Sequence, residues 1–242
     1  MVFNLLNKTA KIAFIPATLL GLLTLTDAAN AAGLRFGLDN GSGGIDWVKT
    51  VMDGDANDIA TLPGVVAYNN SIGSFLVNVA TGISKPLLGS DKLAHIDLNS
   101  VNVSGAAGDL YIAFSDTDFV GTFKNTTYKS LIGGTTNGTV TAKTFLDNSN
   151  TLFGEGIELA NFGTFSKGAF SNEISGLVNT DSPYSLTSIV KVSHTGAYKV
   201  SSFDLEVQQQ QSVPEPASAA ALLALGLVGA ATGANKAVKR NS

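Results

Sequence analysis

The sequence predicts an all-β chain, an antiparallel two-sheet sandwich of jelly-roll or immunoglobulin-like type, carrying an N-terminal signal helix and a C-terminal single transmembrane helix. Three observations lead there. The interior of the 242-residue chain consists of short runs in which apolar and polar residues alternate, with no sustained helical period. Dipeptides that tolerate positive φ, such as Asn40-Gly41, Asp53-Gly54 and Asn137-Gly138, fall between these runs and read as turns. Only the two ends carry apolar stretches without alternation.

The front end has the order of a secretory signal. Lys8 and Lys11 form a short positive region, and the apolar segment IAFIPATLLGLLTL follows from Ile12 to Leu25. Ala29 and Ala31 in TDAANA then occupy the −3 and −1 positions of an A-x-A cleavage site. Residues 1–31 are therefore expected to be a signal peptide, with Ala32 the first residue after cleavage.

Residues 32–207 are expected to form the β-sandwich core. In SFLVNVA, Phe75, Val77 and Val79 should share a face. In GDLYIAFSD, Leu110, Ile112 and Phe114 should do the same, with Tyr111 and Ala113 on the reverse. Val140 and Ala142 alternate with Thr139 and Thr141. Phe203, Leu205 and Val207 face inward while Ser202, Asp204 and Glu206 face out. One dry and one wet face per strand suits a sandwich of roughly eight to ten strands. A closed barrel is the alternative arrangement of the same strands.

Composition narrows the function. The chain has no cysteine, which excludes disulfides, thiolate zinc sites and cysteine nucleophiles. A core of this size can bury enough surface to do without disulfides. Residues 32–211 hold 10 Lys and Arg against 17 Asp and Glu, a formal charge of −7. Such a surface repels phosphate backbones, so nucleic acid is not an expected partner.

Few residues suggest chemistry. MDGDANDIA places Asp53, Asp55 and Asn57 at alternate positions with Asp58 following, which makes a candidate site for Ca2+, a cation that takes hard oxygen ligands. The loop lacks the glycine and the final glutamate of an EF-hand, and a plain solvated turn is the simpler reading. Asp116 and Asp118, near Asp109, are the candidate acid pair if the chain hydrolyses glycosides. His95 and His194, the only histidines, read as surface or turn residues, since neither a G-x-S-x-G elbow nor H-E-x-x-H is present. Trp47, the only tryptophan, reads as a core residue, with a sugar-stacking platform as the alternative.

Beyond the core, Gln208 to Val213 read as a flexible linker. Ala217 to Ala234 is then free of charge for eighteen residues, about 27 Å as a helix, enough to span a hydrocarbon core. Lys236, Lys239 and Arg240 follow and favour a cytoplasmic C-terminus.

Val213-Pro214-Glu215-Pro216, the apolar helix and the basic cluster together resemble the PEP-CTERM sorting signal of Gram-negative bacteria. The resemblance covers about 30 residues, with 214–242 as the sorting signal and 217–234 as its membrane helix. It implies recognition by an exosortase, a membrane-embedded transpeptidase-like protease, and transfer toward the outer surface or an exopolysaccharide matrix. The helix is richer in Ala than is usual, and Asn241-Ser242 follow the interrupted basic residues, which leaves a retained membrane anchor open. The core, in phrases such as PYSLTSIVKVSHTG, more loosely resembles secreted proteins of this group and inherits no catalytic residues from them.

The expected function is that of an exported, non-enzymatic protein of the cell surface or extracellular matrix, structural or adhesive and associated with polysaccharide. The rival expectations are a secreted carbohydrate-active hydrolase and a calcium-stabilised lectin-like module.

Overall fold

The computed structural model describes residues 32–121 and 123–210. The expected signal peptide and most of the tail, with the helix assigned to each, lie outside the described residues. Within them the chain is all-β and antiparallel, with ten strands and no helix. The strands are β1 (Ala32–Asp39), β2 (Ile45–Met52), β3 (Val65–Ile72), β4 (Phe75–Ile83) and β5 (His95–Ser104), followed by β6 (Gly108–Phe119), β7 (Phe123–Asp147), β8 (Ile157–Thr180), β9 (Tyr184–His194) and β10 (Val200–Gln209).

Their order is β2-β1-β6-β9-β7-β10-β5-β4-β3, with β8 paired to β7. The key to this arrangement is β7. Its first half, to Thr136, pairs with β10, and its second half, from Thr139, pairs with β9. One strand thus belongs to two half-sheets, β2-β1-β6-β9 on one side and β10-β5-β4-β3 on the other. Strands from the two halves meet across a single core, where the rings of Phe36 on β1 and Tyr68 on β3 lie 4.8 Å apart. A closed barrel is not formed, since β2 and β3 share no ladder among the described residues.

The expected alternation holds in most strands. Leu110, Ile112 and Phe114 are fully buried, as are Val140, Leu205 and Val207, while Tyr111 and Thr141 are half-buried on the reverse. Burying such side chains contributes about 1.5–3 kcal/mol each, which is why a period-two apolar pattern fixes the register so firmly. On β4 the pattern shifts. A bulge between Val77 and Val79 turns Val79 away and brings Ala80 and Gly82 inward instead. Gly82 sits so close to the opposite half that a Cβ there would lie 2.1 Å from the Phe114 ring.

Two further expectations change. Asn137-Gly138 is not a turn between strands but lies inside β7, where the ladder changes partner from β10 to β9. A Cβ on Gly138 would approach the Ser193 carbonyl oxygen to 2.1 Å, so glycine serves there as a close-contact residue. The glutamine run does not start a linker at Gln208, because β10 continues through Gln209. Gln209 is buried, its amide donates to the Ala94 carbonyl at 2.8 Å, and its Oε1 accepts from Tyr184 at 3.3 Å.

Candidate functional site

The outer face of the β6–β9–β7 half is covered at one end and open at the other. The connection from β7 to β8 folds back over it: the Phe153 amide donates to Ser115 Oγ at 3.0 Å, and Ser185 donates to the Thr151 carbonyl at 2.8 Å. Ala113, Ser115, Ser185 and Thr187 are therefore buried although they point away from the core. Past this cover the same face opens into a groove of about 380 Å³.

Strand alternation places the floor of the groove. Tyr111 projects from β6, Ile189 and Lys191 from β9, and Thr141 and Lys143 from β7, with Asn161 from β8 at the side. Lys191 is tied to Asp109 at 2.7 Å and lies 5.4 Å from the centre of the Tyr111 ring. The bond to Asp109 holds the Lys191 ammonium above the ordinary lysine range. Lys143 pairs with Glu158 at 2.8 Å. The groove thus offers two aromatic residues, Tyr111 and Phe145, two isoleucines, Ile45 and Ile189, and paired donors and acceptors around them. Such a surface suits a ligand with both apolar faces and many hydroxyl groups.

Trp47 stands at the margin of this face. A bulge in the β1–β2 pairing sets it opposite Gly37, half-buried, and outside the core cluster, so the core reading of this residue is corrected. Its ring carries the Arg35 guanidinium at 4.5 Å, and Phe153 holds the same group at 5.4 Å. Burial pushes the Arg35 pKa down and the negative charge of Glu155 opposes it, while cation–π stacking holds the guanidinium over the rings.

The other expected site residues are dispersed. In the 53–58 loop the carboxylates accept the chain's own amides: Asp53 from Gly64 at 2.7 Å, Asp55 from Met52 at 2.9 Å, and Asp58 from Gly54, Ala60 and Ala67 at 3.1, 2.9 and 2.8 Å. Asn57 is exposed. Among the described residues no group of three or more His, Asp or Glu is arranged to hold a metal ion.

Asp109, Asp116 and Asp118 each have a separate partner. Asp109 holds Lys191, Asp116 is buried against Ser84 and Lys85, and Asp118 is exposed beside Asn150. His95 bonds Glu206 on the opposite face of the molecule. His194, expected at the surface, is instead 3% exposed, with Nε2 on Ser201 at 2.8 Å and burial lowering its pKa. The alternation of β9 places it there, since it continues the inward series of Val190 and Val192.

Sequence reasoning placed Tyr111 on the outer face but missed Lys143, Lys191 and Asn161 as its neighbours. Only the pairing of β7 with both β8 and β9 brings those three side chains together, and no local pattern encodes it.

No family model matches the chain, and no curated protein matches it. Among solved structures, the K1 cleaved adhesin domain of Lys-gingipain from Porphyromonas gingivalis is similar at 7% identity, covering 66% of this chain and 97% of its own, with a TM-score of 0.31. A CBM4 structure is similar at 14% identity, covering 64% of this chain and 93% of its own, with a TM-score of 0.31. A family 29 carbohydrate binding module is similar at 12% identity, covering 49% and 77%, with a TM-score of 0.24. Superpositions this loose assign no site and no ligand to this chain.

Proposed function

We propose that this chain is an exported, non-enzymatic β-sandwich that binds extracellular polysaccharide in the groove on its β6–β9–β7 face. The observation that carries the reading is the groove itself. Tyr111 offers a ring on which the apolar face of a sugar can stack, and Lys191, Lys143, Thr141 and Asn161 surround it with hydrogen-bonding groups. The ion pairs with Asp109 and Glu158 hold both lysines in place, so little side-chain freedom is lost when a ligand binds.

The same reading includes the destination. The signal at Ala29 and Ala31 exports the chain, and Val213-Pro214-Glu215-Pro216 with the following helix and basic residues sorts it through an exosortase to the cell surface or matrix. At least transient anchoring by residues 217–234 belongs to that route.

Affinity electrophoresis of residues 32–210 through gels containing the host's own exopolysaccharide tests the binding. Retardation is expected, and Tyr111→Ala should weaken it about tenfold, comparable with the ~1–3 kcal/mol that a nucleic-acid base gains by stacking on an aromatic ring. Free migration through every polysaccharide tested would end the reading. Release of new reducing ends during the run would replace it with the hydrolase.

A further inference from the structure

Cleavage after Ala31 would create a group that the precursor lacks, the α-ammonium of Ala32. The fold places that position with unusual care. Ala32 opens β1, is 3% exposed, and stands directly opposite Asp116 in the β1–β6 ladder. The next inward pair, Leu34 and Phe114, is fully buried, so Ala32 and Asp116 share the inward face. Both line a cavity of about 450 Å³ at that end of the sandwich, together with Asp53, Lys85 and Asp91.

The charges in this cavity do not balance. Three acidic residues and one lysine line it; Asp53 accepts the Gly64 amide and Asp91 is exposed, which leaves Asp116 as the buried carboxylate. Asp116 is 1% exposed, and its Oδ2 accepts from Ser84 and from Lys85 Nζ, the latter at 2.7 Å. Its Oδ1 is buried and has no partner among the described residues. Burial pushes the Asp116 carboxyl upward, opposed by Lys85. Leaving a buried acceptor unpaired is unfavourable, so a second donor at this place would be favoured.

We propose that the cavity is a seat for the chain's own α-ammonium. Once the leader is removed, Ala32 supplies a cation to Asp116, flanked by Asp53 and Asp91. In the precursor the same nitrogen is a neutral amide, so the seat is filled only by the processed chain. The inference rests on the export reading for the position of the cut, but the seat can be tested without the host.

A chain beginning at Ala32 is prepared with a site-specific protease, and half of it is N-acetylated. The α-amine is titrated by pH-dependent acylation read by mass spectrometry, and both forms are melted at about pH 7 and about pH 10.5. A free terminus titrates near 8, and the seated one is expected roughly one pH unit or more above that, a tenfold shift. Because the folded-state pKa is raised, the added stability is present below it and lost above it. The free form should therefore melt about 3 °C or more above the acetylated form at pH 7, with the gap closed at pH 10.5.

Asp116→Asn should return the amine to its ordinary range. If that variant does not fold, the acetylated comparison alone decides. An ordinary amine pKa with equal melting of the two forms would overturn the seat. Intact mass of the protein from the host envelope is a separate readout: an N-terminus other than Ala32 overturns the export reading's cleavage site and leaves the titration to judge the cavity.

Discussion

Replacing Asp97 by Asn should remove much of the stability that the chain loses between about pH 5 and pH 8.5. Asp97 is half-buried on the outer face of β5 and stands opposite Glu206 on β10. Burial, a hydrogen bond that the protonated Asp97 donates to the neighbouring Asp204 carboxylate, and the negative charge of Asp204 and Glu206 push its carboxyl up to about 7, against an opposing effect of Asn99. His95 is engaged by Glu206, and the nearest lysine across β7, Lys129, is engaged by Glu173 on β8 at 2.8 Å. Among the described residues no ion pair joins Asp97 to a cation.

The folded chain therefore holds a proton that the unfolded chain has released by about pH 4–5, and stability falls as pH rises through 7. A rise from 3.8 to about 7 corresponds to at most about 4 kcal/mol in all, of which about 2.7 kcal/mol falls above pH 5. Asp97 is partly open to water, and solvent screening reduces this to about 1–2 kcal/mol. Urea unfolding at the two pH values measures it directly, in both the parent and Asp97→Asn. Every other ionisable group is common to both proteins, so the difference between the two slopes isolates Asp97. The parent should lose about 1–2 kcal/mol more than the variant across this range, or about 3–6 °C in Tm for a domain of this size. Equal slopes would show that the carboxyl titrates in its ordinary range and that the Asp97–Asp204 pair is not formed.

Gly82→Ala should destabilise the core by about 1–3 kcal/mol, because its Cβ would meet the Phe114 ring, and Phe114→Leu in the same chain should recover part of the loss in a thermal melt. Asp58→Ala removes the acceptor of three backbone amides and should cost about 2–3 kcal/mol, while EDTA leaves the melting temperature of the parent unchanged. A chelator-induced drop in Tm would show instead that the loop carboxylates serve Ca2+.

The individual faces of this fold could be read from the chain, and its assembly could not. Alternation in GDLYIAFSD and SSFDLEV reports which side chains leave water, because burial and the two-residue period are local facts. The bulge that turns Val79 outward leaves no local trace, since it arises from the register against β5. Asn137-Gly138 looks like a turn because the dipeptide permits one, yet strand pairing on both sides of β7 overrides that preference. The carboxylates of MDGDANDIA could be recognised as oxygen ligands, but whether they serve an ion or a backbone amide depends on the path of the loop. The candidate groove was least legible of all, as its residues come from strands spread over the chain from Tyr111 to Lys191.

The position of β10 has a consequence for how the molecule comes into being. This last strand lies between β5 and β7, pairing Leu205 with Leu98 on one side and with Ile132 on the other. Until it arrives, β3, β4 and β5 share no strand ladder with the rest of the sheet among the described residues. Its partner on β5 lies about a hundred residues earlier, a closure that is slow compared with hairpin formation. A nascent chain therefore cannot finish folding before almost all of the strand-forming sequence has been synthesised. If the chain is exported as proposed, delayed closure would keep it extended while it threads the membrane, with its final stitch made on the far side.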